Sequence, residues 1–431
     1  MSSLKIKSLH FTTDFLTLRL LKSRAILSPL FWSFKAFMET IITFGIITIL
    51  IVIAPFLSTL TRLPLVAVEI LLGALALHCG LFSHSSSLEF VAHIGFLFLM
   101  FLCGLEVDLK TFTKLGRKFL KSAFLYFLVL YGIAFLYVLN TELSGFYIAA
   151  LPVMSLGMIM AMLKEYPKNT PWLQRALNVG ILGELISIVA LVVLNGAYSH
   201  GLTWELYKTL LVLFLFLSVI VGIFKIIDVL FWWFPALKFF LIPSDSSKNQ
   251  DIRFSAMLFF ILIGITQILG LESVLGAFLA GMILATYFHH QKGLPEKLNE
   301  FGFGFFIPLF FIYVGSTLDL NLILNLPLLA LTLNIIVVMV VLRLIAAFIA
   351  YKKHFKHFVK TTLFALSHAM PLTFLVATAQ LGMQFGAIST DEYYALILAA
   401  LMEGIFLTIG VKMLYSYWIK KKESKNQAIL S

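Results

Sequence analysis

The chain has 431 residues, of which 61% are hydrophobic and only 12% charged, with a formal net charge of +11. Soluble domains carry about 25% charged residues, so a soluble globular protein is excluded, and strand-length alternation of the membrane-barrel type is absent. The basic residues lie mostly between apolar runs, which records membrane topology rather than nucleic-acid binding.

Apolar runs long enough to cross a bilayer recur along the whole chain, and the sequence predicts an all-α polytopic membrane protein. Residues 1–37 form a basic extension (Lys5, Lys7, Arg19, Lys22, Arg24, Lys35), read either as preceding a true start at Met38 or as a poorly ordered or surface-lying segment. Thirteen spans follow, at about 39–59, 63–83, 89–107, 118–140, 145–163, 175–196, 206–227, 253–270, 272–288, 301–318, 326–351, 360–382 and 391–416. Residues 417–431 are read as a cytoplasmic basic tail with no regulatory domain attached. With Lys420, Lys421 and Lys422 placed in the cytoplasm, alternate connections collect 22 basic residues on that side against Lys208 on the other. The expected orientation is N-terminus outside, C-terminus cytoplasmic. Cys79 and Cys103 lie in apolar runs and read as small packed residues, not a disulfide or a metal pair.

The chain repeats itself. Gly95–Leu109 matches Phe306–Leu320 at an offset of 211, and Glu69–Leu77 matches Ala277–Ala285 at an offset of 208. Six spans, a linker span and six spans account for both, and the third and tenth spans run in opposite directions. Two inverted six-helix repeats with a site at the midplane are the pattern of secondary transporters.

The candidate site follows from charges inside apolar runs. A carboxylate at the centre of a membrane helix costs about 2.5–3.5 kcal/mol on insertion scales, so Glu184 of the sixth span is expected to bind a proton or a monovalent cation. The six-helix offset pairs it with Glu403 of the thirteenth span. The fifth span carries Pro152, Ser155 and Gly157, and the twelfth carries Ser367, His368, Pro371 and Thr373. Proline and glycine beside hydroxyls at mid-membrane predict helices that break where they line a cavity. Arg343 is too deep in the eleventh span to snorkel and is expected to need a carboxylate, Glu184 or Glu403. Ser155 and Ser187 are companion ligands, with Glu403, His368, Thr373, Glu69 and Asn178 as accessory candidates. Glu69 reads equally well as an interface carboxylate, and His78, His93 and His368 as packed, hydrogen-bonded histidines. Glu106, Asp108 and Asp319 lie near span ends, where solvation or helix capping accounts for them. There is no phosphate loop, Cys/His metal pattern or nucleophile motif, so neither an enzyme nor a cofactor is expected, only transported H⁺ and Na⁺ or K⁺.

Pro64–Gly73 with Glu69, Phe98–Asp108, Leu275–Gly281 and Pro308–Gly315 together resemble the bacterial monovalent cation:proton antiporter family, specifically its Kef-like branch. The resemblance covers 39–416. It implies the sodium/proton antiporter fold with crossed discontinuous helices: a dimer scaffold from 39–107 and 253–318, a mobile core from 118–196 and 326–416, and a linker span at 206–227. It implies a homodimer in membrane lipid, with any separate regulatory subunit unidentified. It assigns ion binding to Glu184, a basic partner to Arg343 and the unwound polar position to Ser155. Gly183 stands where the family usually has Asp, Asn or Gln, Glu184 where Asp is usual, and Gly157 where a hydroxyl is usual. The Arg-Gly-Glu-like stretch of the family's twelfth span is absent around His368–Pro371. The expected function is electroneutral cation/proton exchange by alternating access. A gated potassium-efflux pathway, or a sensor or assembly subunit that kept the fold without exchange, are the alternatives.

Overall fold

The computed structural model describes residues 38–430 except 62, 108–115, 157–158, 160–161, 164–165, 167–169, 201–203, 235–248, 289–292 and 321–324. The basic extension 1–37, Asp108 and Gly157 therefore lie outside the described residues. All regular structure among the described residues is helical. The helices are α1 Met38–Thr61, α2 Leu65–His78, α3 Ser86–Leu105, α4 Arg117–Leu139, α5 Tyr147–Ala150, α6 Pro171–His200, α7 Trp204–Trp233, α8 Gln250–Ile268 and α9 Ser273–Tyr287. They continue with α10 Leu294–Ser316, α11 Leu326–Phe355, α12 Phe358–His368, α13 Leu372–Gln384 and α14 Thr390–Leu430.

Among the described residues, eight helices are long and apolar enough to cross a membrane, and a ninth is obtained by joining α12 to α13 across their 43° bend. The apolar helices α2 and α9 have 14 and 15 residues. At 1.5 Å per residue each covers only about two thirds of a hydrocarbon core. The last helix runs on to Leu430, so the basic tail continues α14.

Local sequence sets the helix ends and breaks. Ser85 caps α3 by accepting from the Leu88 N–H at 3.2 Å. Pro327 sits in the first turn of α11, where its missing N–H is not needed, and Lys356 closes that helix in the left-handed region at φ 52°. Within α10, Gly302–Phe306 form a π-helical turn just before Pro308.

The helices pack in two groups. In the first, α2 lies on α10, α3 on α9 and α10, and α8 on α9, with α1 joined through a cluster including Ile47, Leu50, Leu88 and Leu309. In the second, α11 packs on α4, α12 and α14, α13 on α14, and α6 on α12 and α5. α7 runs beside α6, and the groups meet where α6 passes α9.

The repeat noted in the sequence builds the first group. A Cβ on Gly73 would stand 2.0 Å from the Ile312 carbonyl oxygen, and one on Gly315 would stand 1.9 Å from that of Ile70. Likewise Gly104 would meet Phe278 and Gly281 would meet Phe101, each at 2.0 Å. The offset of 208 carries Ile70 and Gly73 onto Phe278 and Gly281, and the offset of 211 carries Phe101 and Gly104 onto Ile312 and Gly315. The two crossings, α2 with α10 and α9 with α3, are thus copies of each other. Each brings two backbones into contact where only glycine fits.

Candidate ion-binding site

The fifth and twelfth spans are both interrupted. Helix α5 ends at Ala150, a turn follows at 151–152, and 153–155 carry no regular structure. In the twelfth span α12 stops at His368 and α13 begins at Leu372, after Ala369, Met370 and Pro371. Proline is the local cause at both breaks: Pro152 and Pro371 remove an N–H and crowd the preceding turn. The offset of 219 between them is also the offset between Glu184 and Glu403, so each acid stands in the same repeat relation to a break.

The two breaks touch. Ser155 Oγ lies 2.9 Å from Thr373 Oγ1, a direct hydroxyl contact between the interrupted spans. Ser155 is buried in the unwound segment, and Thr373 opens α13. Both were singled out in the sequence, and the fold brings them together.

Arg343 is completely buried in the second group. The sequence leads to the expectation that it needs a carboxylate, Glu184 or Glu403; its hydrogen bonds add backbone carbonyls to that account. Its guanidinium donates to the carbonyls of Leu151 at 2.9 Å, Met339 at 2.8 Å and His368 at 2.8 Å, and also to that of Val153. Leu151 and His368 are the ends of α5 and α12, where carbonyls lack intrahelical partners and the helix dipole is negative. Helix ends therefore offset part of its charge, and one side chain ties both breaks together. The charged group that Arg343 faces is Glu403, without an ion pair between them among those the structure forms.

Glu184 and Ser187 are fully buried on α6. Ser187 Oγ donates to the Gly183 carbonyl at 2.7 Å, so its hydroxyl proton is used within the helix. Neither carboxylate oxygen of Glu184 has a hydrogen-bond partner among the described residues, and the same holds for Glu403. Glu184 sits beside the Leu156 backbone and the Cys103 thiol of α3, and its charged neighbour is Glu106. It therefore looks from the second helix group across to the first. The glycine before it also has a reason: a Cβ on residue 183 would lie 2.3 Å from Met154 Sδ and 3.2 Å from Met154 Cβ. The unwound segment fills the space that a polar side chain at 183 would need.

The accessory candidates separate. His368 is buried, with Nδ1 2.9 Å from the Phe364 carbonyl and Nε2 3.0 Å from that of Ala176, which ties α12 to α6. Asn178 is half-buried on α6. Glu69 is buried on α2 in the first group. Cys103 was read only as a packed residue; its place beside Glu184 depends on a contact between helix groups that has no signature along the chain.

A buried carboxylate that among the described residues meets only the Cys103 thiol and the Leu156 backbone, neither in well-formed hydrogen-bond geometry, and that is set against two interrupted and crossed helices, suits a site that takes up a small cation or a proton. Comparison with known proteins agrees with this geometry. The chain is 29% identical over 395 residues to the putative Na⁺/H⁺ antiporter YjbQ of Bacillus subtilis, covering 84% of this chain and 61% of that protein. It is 27% identical over 395 residues to the probable Na⁺/H⁺ antiporter 3 of Methanocaldococcus jannaschii, covering 88% of this chain and 97% of that one. The fold matches the sodium proton antiporter MjNhaP1 of M. jannaschii, solved at pH 8, with a TM-score of 0.59 and 15% identity over 89% of this chain and 97% of that one. The signature of the sodium/hydrogen exchanger transmembrane domain spans residues 46–416, and the chain belongs to that family.

Proposed function

We propose that the protein exchanges a monovalent cation, Na⁺ or K⁺, for protons across a membrane, with Glu184 as the group that carries either. The observation that carries this is the Glu184 carboxylate itself, fully buried with both oxygens unpartnered among the described residues, beside the crossing of the two broken spans. In a low-dielectric site a bare carboxylate is costly. Two neutral forms relieve it, the protonated acid and the carboxylate bound to a cation. Swapping one for the other moves one proton against one cation, so exchange is 1:1 and electroneutral. Arg343 fits that count because guanidinium stays protonated and takes no part in the proton balance.

In this reading Ser155 Oγ is a companion ligand and the Ser155–Thr373 contact holds the breaks in register. The first helix group is the scaffold and carries the homodimer contact; the second moves against it to expose Glu184 to one side and then the other. The membrane is the bacterial cytoplasmic membrane, with the C-terminus inside. The relatives' printed names support Na⁺/H⁺ exchange without singling out the Kef-like branch.

The test is purified protein in proteoliposomes under an imposed pH gradient, with Na⁺, K⁺ and Li⁺ compared. Wild type is expected to show cation-driven proton movement, and folded Glu184→Gln none. Exchange that persists in Glu184→Gln removes Glu184 from the site. A rate that depends strongly on membrane potential removes the 1:1 count, and cation flux without proton flux makes the protein a cation pathway.

A further inference from the structure

Near the start of α3, a cavity of about 290 Å³ opens between the first and second helix groups, and one of about 400 Å³ adjoins it within the first group. Both are lined by Glu89 and Tyr313; the first also reaches His93, Gln380 and Gln384, and the second reaches Thr317. The lining of the first cavity comes from both groups: α3 and α10 on one side, α13 on the other. Glu89 is exposed and lines both cavities.

A bridge of three side chains joins the groups at this cleft. Thr317, just past the end of α10, places Oγ1 2.8 Å from the hydroxyl of Tyr393 and 2.7 Å from the Val314 carbonyl, and its one proton serves either partner. Tyr393, in the first turns of α14, donates at 3.1 Å to Gln380 Oε1 on α13. The Tyr393 side chain is almost fully buried, at 3% exposure. Gln380 lines one cavity and Thr317 the other, so the Tyr393 hydroxyl stands between them. Thr317 belongs to the rigid, glycine-crossed group, whereas Tyr393 and Gln380 belong to the group that holds Glu184. Movement of one group past the other by more than about 1 Å would break the Thr317–Tyr393 contact, because a hydroxyl hydrogen bond does not survive beyond about 3.5 Å.

We infer that the Tyr393 hydroxyl, bonded to Thr317, is the gate that closes the Glu89 side of the exchanger, and that it must open before Glu184 can be reached from that side. Tyr393 is a positioning residue: it touches neither the transported cation nor Glu184, and acts by setting how often the two groups part. This rests on the alternating-access reading above. A net hydrogen bond biases a two-state equilibrium by about two- to tenfold.

The experiment measures cation KM separately at the two faces, in proteoliposomes carrying the protein in one orientation. Apparent affinity at each face scales with the fraction of molecules open to it. Tyr393→Phe keeps the ring and removes the hydroxyl. It is expected to lower KM at the Glu89 face relative to the opposite face, changing their ratio by about two- to tenfold. Thr317→Val should reproduce the change, and the double variant should add nothing further, since both remove one bond. An unchanged ratio, equal KM changes at both faces, or additive effects overturn the gate. If Tyr393→Phe does not fold, as judged by size-exclusion chromatography, Thr317→Val decides alone. Wild type without cation-driven proton flux overturns the exchange reading, and the gate with it.

Discussion

The two helix groups are held together by opposite means. In the first, α2 crosses α10 and α3 crosses α9 at glycines whose missing side chains let carbonyl oxygens approach to about 2.0 Å of a Cβ position. In the second, contact is made through polar groups at broken helix ends, with Arg343 reaching four carbonyls and Ser155 touching Thr373. Backbone crossings at glycine allow close van der Waals packing and little room for rearrangement. Helix breaks expose carbonyls and N–H groups that a ligand can use, but only if something fixes them in place. One group is held by backbone crossings; the other gathers polar groups at its helix breaks.

The sharpest way to break this contrast is to remove the side chain that fixes the breaks. Arg343→Met deletes the donors to Leu151, Val153, Met339 and His368 and leaves buried carbonyls unsatisfied. Each such group costs about 1–3 kcal/mol, so a loss of at least about 3 kcal/mol is expected. Arg343→Lys should rescue little, because an ammonium has three donors and no planar fork to span carbonyls of two different helices. Thermal unfolding in detergent measures both. A shift for Arg343→Met no larger than that of a surface substitution would show that the breaks hold without it.

The first group is tested at its crossings. Gly104→Ala and Gly281→Ala each put a methyl group into a backbone contact, at Phe278 and Phe101 respectively. Backbone cannot move aside as a side-chain tip can, so each is expected to destabilise by about 1–3 kcal/mol. Exchange per folded molecule should stay close to wild type, because neither residue touches the second group's site. Exchange that falls further than stability does would mean the first group's packing also tunes the site.

Much of this contrast is legible along the chain, and the remainder has a physical reason for being hidden. Gly73, Gly104, Gly281 and Gly315 stand out because they recur at fixed offsets in otherwise Leu- and Phe-rich runs. Pro152 and Pro371 mark the breaks because proline removes a backbone donor. Glu184 is visible because an acid in an apolar run is expensive. The partners of Arg343 are not visible: unsatisfied helix-end carbonyls carry no side-chain signature, so a buried cation in a sequence is read as calling for an acid. Gly183 looks like a missing ligand until Met154 is seen to occupy its space. The bridge from Thr317 through Tyr393 to Gln380 joins residues from different helix groups, and nothing in their spacing announces it. The helical architecture was thus readable from patterns local to each run, and the contacts between runs were not.

The mildest test lies at the contact between the breaks themselves. Ser155→Ala and Thr373→Val each remove one hydroxyl from a 2.9 Å pair. The net value of such a bond is about 0.5–1.5 kcal/mol, so stability should fall by no more than that. If Ser155 is also a ligand, its loss acts twice, once on the register of the breaks and once on the cation. Thr373→Val acts only on the register. Cation KM is therefore expected to rise in both variants, by about two- to tenfold in Thr373→Val and by more in Ser155→Ala. The double variant should match Ser155→Ala, because the shared bond is already gone. Equal KM values in the two single variants would make Ser155 a structural partner of Thr373 and leave Glu184 as the ligand common to every step of the exchange.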